Sequence, residues 1–132
     1  MEKIKTPPVE VVKKMFAAFR TTEVNKILET VSADSLWIYH GTQIIPKARF
    51  KGKQEVGKFF SNIFNRTEML NFDPRQYIAD GNMVVVLGSE HQRSKRSGRE
   101  FKQQWVQIYT VENNLITRME EFATSEIASK DK

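Results

Sequence analysis

The sequence contains no cysteine, which excludes disulfides, thiolate metal sites and a cysteine nucleophile. Histidine is scarce: the chain has two, His40 and His91, at no spacing that builds a metal triad. No apolar run approaches the ~20 residues that a membrane span requires. Met1 to Thr6 is charged where a signal peptide would be apolar. A soluble, cytoplasmic protein without metal or other cofactor is therefore expected, and the lack of cysteine fits a reducing compartment. Internal repeats, long linkers and low-complexity runs are also missing.

What is present fits one globular unit. The 132 residues are expected to form a single domain, 1–132, with an ordered core over about 8–125 and a loose tail after Ser125. A chain of this length buries roughly two thirds of the surface that its unfolded form exposes. Aromatic residues make up 11% of it, with nine Phe and two Trp, so one core rich in rings is implied. The net charge is +5, and much of the basic character sits in "HQRSKRSGREFK" (91–102). That run surrounds a hairpin turn and reads as a solvated tip that discourages edge pairing. Without interleaved aromatics or a glycine loop it gives no support to a nucleic-acid partner.

Periodicity supplies the elements. Thr6-Pro7-Pro8 is a helix start, with a hydroxyl to cap amides and prolines placed where no intrahelical N–H is needed. Val9, Val12, Phe16 and Phe19 then form one apolar stripe. A second short helix is expected over Glu23 to Thr30, and the two form a hairpin. Leu36 to Gly41, "LWIYHG", reads as a strand. An irregular segment containing Pro46 follows it. Val56, Phe59, Phe60, Ile63 and Phe64 mark a third helix.

From Met69 the period changes to two. Asp80-Gly81, Ser97-Gly98 and Asn113-Asn114 separate four strands of an antiparallel meander. The architecture is thus α+β, with helices gathered on one face of an antiparallel sheet. In "MVVVLG" both Met83, Val85, Leu87 and Val84, Val86 are apolar, so both sheet faces require cover. Three helices cover one face, and a homodimer through the outer face is expected to cover the other.

The segments "YHG", "FKGKQEVGKFF", "FDPRQYIADGNMVVVLG" and "WVQIYTVENNLITRMEEF", in this order, resemble the nuclear transport factor two-like superfamily, and within it the bacterial SnoaL-like, ketosteroid-isomerase-related proteins. The resemblance runs from about Pro8 to Ser125. It implies a cone: a cystatin-like, strongly curved sheet wrapped around a helix, a SnoaL-like α+β barrel open at one end to an apolar pocket. It implies no single activity, because the superfamily hosts isomerases, cyclases, hydrolases and proteins that only bind.

Laid on the ketosteroid isomerase pattern, His40 falls where that enzyme carries its aspartate base. Met15 replaces the donating tyrosine and Gln107 the protonated aspartate. The steroid isomerase reaction itself is therefore not expected. The resemblance implies a pocket holding His40, Gln107 and Glu121 among Met15, Phe19, Ile38, Phe60, Phe64, Trp105, Tyr109 and Met119. A mostly apolar cavity with few convergent polar groups suits a small hydrophobic metabolite.

A neutral imidazole at His40 could remove a proton next to a carbonyl, with Gln107 donating to the oxyanion. Glu121 would steady His40 if near it; if distant and buried, its own pKa would rise and it would act as an acid. The alternatives are a structural histidine at a strand end and a non-catalytic module that binds a small ligand.

Overall fold

The computed structural model describes residues 6–42 and 45–127. The chain runs α1 (Pro8–Arg20), α2 (Val24–Leu28), β1 (Val31–Tyr39), β2 (Ala48–Lys51), α3 (Gly52–Arg66), β3 (Thr67–Asp80), β4 (Met83–Ser94), β5 (Glu100–Glu112) and β6 (Leu115–Ile127). β6 continues two residues past Ser125, to Ile127, and the rest of the expected loose tail, positions 128–132, lies outside the described residues.

One six-stranded sheet has the order β2-β1-β6-β5-β4-β3. It is curved and unclosed, and the α+β architecture is as expected. Two features differ from the expectation. The segment around Pro46 contains a strand, β2, paired antiparallel to β1 from Leu36↔Lys51 to Tyr39↔Ala48. And β1 lies parallel to β6, so the sheet is mixed. Sequence pattern alone does not reveal either pairing, because each joins segments that no short turn connects.

Local chemistry explains the element ends. Pro7 occupies the cap position of α1 with no side-chain cap bond. The Thr6 hydroxyl therefore does not cap as expected; its backbone N–H donates to Asn114 Oδ1 at 3.0 Å. Asn113 and Asn114 both take positive φ, 53° and 65°, the conformation a tight hairpin turn demands and asparagine tolerates. Pro74 lies in β3, an edge strand, where a missing N–H is tolerated.

The core lies between the inner sheet face and α1 and α3. Val12, Ile27, Val31, Val56, Val84, Val86 and Ile116 are fully buried. Rings fill the centre. Phe16 meets Phe72 edge-on at 5.1 Å, and Trp37 meets Phe60 at 5.4 Å. Trp105 lies over Gly88, whose added Cβ would stand 2.6 Å from Trp105 Cη2 and 2.7 Å from the Asp73 carbonyl oxygen. Glycine at 88 is thus what lets the indole lie flat on the sheet.

Candidate functional site

Strand parity decides which side chains reach the interior. Trp37 and Tyr39 on β1, Glu90 and Gln92 on β4, Gln103, Gln107 and Tyr109 on β5, and Met119 and Glu121 on β6 all face the concave side. With Met15, Phe16 and Phe19 from α1 and Phe59, Phe60 and Ile63 from α3, they enclose a cavity of about 320 Å³. Its walls are mostly aromatic and aliphatic, and its ionisable groups are two glutamates and two tyrosines.

Those groups form two chains of the same kind. The Tyr39 hydroxyl donates to Gln103 Oε1 at 2.8 Å, and Gln103 Nε2 donates to Glu90 Oε2 at 3.0 Å. The Tyr109 hydroxyl donates to Gln107 Oε1 at 2.6 Å, and Gln107 Nε2 donates to Glu121 Oε1 at 3.1 Å. In each, a tyrosine fixes the amide so that its NH₂ points at a carboxyl. Gln92 Nε2 also donates to Glu90 Oε2. Across β5, Glu90 stands opposite Gln103 and Glu121 opposite Gln107. Four residues of strand separate those levels, roughly 13 Å at about 3.3 Å per residue. The carboxyls therefore project from two levels of one polar wall, near enough for the charge of Glu90 to act on Glu121.

Burial shapes their acidity. Desolvation raises Glu121 to about 8; the nearby Glu90 charge adds to this, and the Gln107 hydrogen bond opposes it. Desolvation raises Glu90 to about 7, against hydrogen bonds from Gln92 and Trp105. The Trp105 indole Nε1 makes no hydrogen bond of full geometry among the described residues, yet stands close enough to favour the Glu90 carboxylate. Glu121 is 8% exposed and Glu90 only half-buried, so Glu90 is the group nearer to solvent. The phenols of Tyr39 and Tyr109 are pushed well up, chiefly by burial.

The residues expected at the site divide. Met15, Phe19, Phe60, Gln107, Tyr109, Met119 and Glu121 line the cavity; His40, Ile38, Phe64 and Trp105 do not. His40 follows Tyr39 and so points to the opposite face. Its Nε2 lies 2.9 Å from Glu120 Oε2, its ring stacks on Phe122 at 4.2 Å, and its backbone N–H donates to the Glu121 carbonyl. Glu120, held below the usual carboxylate range first by that hydrogen bond, is its partner, and Glu121 is not. The Glu121 carboxyl lies on the other face of the sheet from the His40 ring, buried and with its pKa raised by desolvation.

Trp105 shares the inner face but packs against Phe16 and Phe72, and Phe64 packs against Phe19 and Phe60. Glu90 was missed, because it directly precedes the run 91–102 that reads as a solvated hairpin tip. The signal was there: counting by twos from the buried Val84 and Val86 reaches Glu90. The basic tip folds onto its own acids and carbonyls. Arg93 pairs with Glu68 at 2.9 Å, His91 with Glu100 at 2.7 Å, and Lys95 Nζ donates to the Phe64 carbonyl. Among the described residues no group of three His, Asp or Glu could hold a metal ion, and no helix is long and apolar enough to cross a membrane.

A curved, unclosed sheet cupped around helices over an interior cavity defines the NTF2-like class of α+β proteins. The chain belongs to its SnoaL-like domain family, matched over residues 12–119. Among solved structures, an NTF2-like protein from Burkholderia xenovorans LB400 is similar at 24% identity and a TM-score of 0.77, over 89% of this chain and 88% of that one. An NTF2-like protein of unknown function from Burkholderia pseudomallei is similar at 20% identity and 0.75, over 89% and 91%. An LEH-like epoxide hydrolase from M. tuberculosis shares the fold at 12% identity and 0.72, over 89% and 82%. Among curated proteins, none matches the sequence.

Proposed function

We propose that this protein binds a small, largely apolar metabolite in the cavity and moves a proton on it without a cofactor, as an isomerase, cyclase or hydrolase of the SnoaL type would. The observation that carries this reading is the pair of carboxyls, Glu90 and Glu121, tuned to about 7 and about 8 among aromatic walls. Two acids with unequal surroundings at neutral pH suit opposite roles. Glu90, the nearer to solvent of the two, is the base. Glu121, still protonated, donates a hydrogen bond to the oxygen on which negative charge develops. Gln107 and Gln103 hold the carboxyls in place. His40, expected as the base, has no part in this, since its ring lies on the other side of the sheet.

The outer face favours a homodimer. Leu87, Val106 and Phe122 stand side by side across β4, β5 and β6, and Val85 stands beside Ile108. Phe122 is 45% exposed. Arg118 and Glu120 border this apolar strip with opposite charges, 3.6 Å apart, which suits a second copy related by a two-fold axis. A cytoplasmic dimer with one cavity per subunit is the resulting assembly.

Carbon-13 NMR of side-chain carboxyls, assigned by Glu90→Gln and Glu121→Gln, tests the site without knowledge of the substrate. Two carboxyls titrating near neutrality are expected; ordinary values near 4.3 for both would remove the acid–base reading. Hydrogen–deuterium exchange into a panel of cyclic ketones then separates the two functions. Exchange lost in Glu90→Gln supports catalysis, whereas ligand binding with no exchange supports a binding module.

A further inference from the structure

We infer that the molecule taken by this cavity is an organic cation, a compact apolar body bearing one positive nitrogen that faces the polar wall of Glu90 and Glu121, Glu90 ionising first. The inference rests on the cavity being a ligand site and adds the class of ligand. It begins from the charges on the wall. The chain carries 21 Lys and Arg against 16 Asp and Glu, yet among the described residues no Lys, Arg or His lines the cavity. Arg20 rests against the Phe72 ring and is bonded to that residue's carbonyl, and His40 stacks on Phe122 beyond the sheet, and neither lines the cavity.

An anionic ligand would meet two acids and no counter-charge. A neutral one would leave both carboxyls as they are in the empty cavity. A cation alone provides a counter-charge for these carboxyls as they ionise, and a charge held away from water is stabilised by pairing. The rings around it add to this. Phe16, Phe19, Trp37, Phe60, Phe72 and Tyr109 line the cavity, and the negative face of an aromatic ring attracts a desolvated cation.

Binding is then linked to protons. The titratable groups facing the cavity are Glu90 from β4, Glu121 from β6, Tyr39 from β1 and Tyr109 from β5, and α1 and α3 contribute none. A cation favours the carboxylates, so it displaces the protons that burial retains. Affinity for it rises with pH through the window near 7 to 8 and levels off above.

The test uses two probes of one shape, benzyltrimethylammonium and its carbon isostere neopentylbenzene. Binding is followed by quenching of Trp37 and Trp105 and by calorimetry in buffers of different ionisation enthalpy. The cation is expected to bind about tenfold or more tightly than the isostere at about pH 9, to lose most of that preference at about pH 6, and to release protons as it binds. Glu90→Gln and Glu121→Gln should each reduce the preference, and either variant alone is sufficient should the other fail to fold. Equal or tighter binding of neopentylbenzene at the higher pH overturns the cation inference and leaves the ligand cavity standing. Binding of neither probe overturns both.

Discussion

Glu121 shows what a single residue can and cannot announce. In the sequence it is one half of Glu120-Glu121, and the resemblance alone, not the residues themselves, assigns it to the pocket. In the fold Glu121 is buried beside Gln107 while Glu120 pairs with His40. The consequence is a pH dependence of stability with a definite sign. Glu90 and Glu121 hold protons in the native state that the unfolded chain releases near 4.5. Stability is therefore greatest below about pH 4.5 as far as this pair is concerned, falls as pH rises through 7 to 8, and is flat above. Thermal melts should show this decline between about pH 5 and about pH 9, and Glu121→Gln should flatten it; an unaltered slope would place the titration elsewhere. His40 carries the opposite expectation. As a half-exposed partner of Glu120 it should contribute within about 1 kcal/mol, so His40→Ala should melt close to the parent and leave ligand binding in the cavity unchanged.

At the scale of elements, the interior depends on strand parity, and one residue shows how tightly the parity is held. Gly88 continues the inward series after Val84 and Val86, and Trp105 occupies the space its missing side chain leaves. Gly88→Ala pushes a methyl against a ring and a backbone carbonyl, an overpacking that costs about 1–3 kcal/mol. Urea unfolding should record that loss, and the indole, displaced from Phe72, should change its near-ultraviolet dichroism. The helices α1 and α3 were legible because their apolar residues recur at three and four. The meander was legible because Asp80-Gly81 and Asn113-Asn114 are turn chemistry. β2 was not: four residues, alternately half-buried and exposed, become a strand only because β1 offers them an edge. His40 was misread although its own strand contained the answer, since Trp37 and Tyr39 point inward and the residue after Tyr39 must point out.

For the whole molecule the outer sheet face is the open surface. Ile78, Met83 and Phe122 are 49%, 45% and 45% exposed, a disposition that a second copy would relieve. Phe122→Glu places a charge at the exposed end of the row formed with Val106 and Leu87. Light scattering should find a dimer for the parent and a monomer for this variant, with the cavity residues unaltered. A parent that is monomeric at all concentrations would leave the face without its partner and discard the dimer.

Composition and periodicity, acting within a few residues of each other, were enough to determine the class of fold, the helices, the hairpins and the presence of a ring-rich core. They reach no further because the α-helical and β periods report only which face a side chain shares with its neighbours. Which strands become adjacent, and whether the face they share is concave or convex, depends on pairing across 80 or so residues, as between His40 and Glu120. The tertiary structure alone decided that Glu90, from a polar run, joins Glu121 in one largely apolar cavity. Water is excluded there only once six strands and two helices have closed around it, and it is that exclusion which alters their acidity.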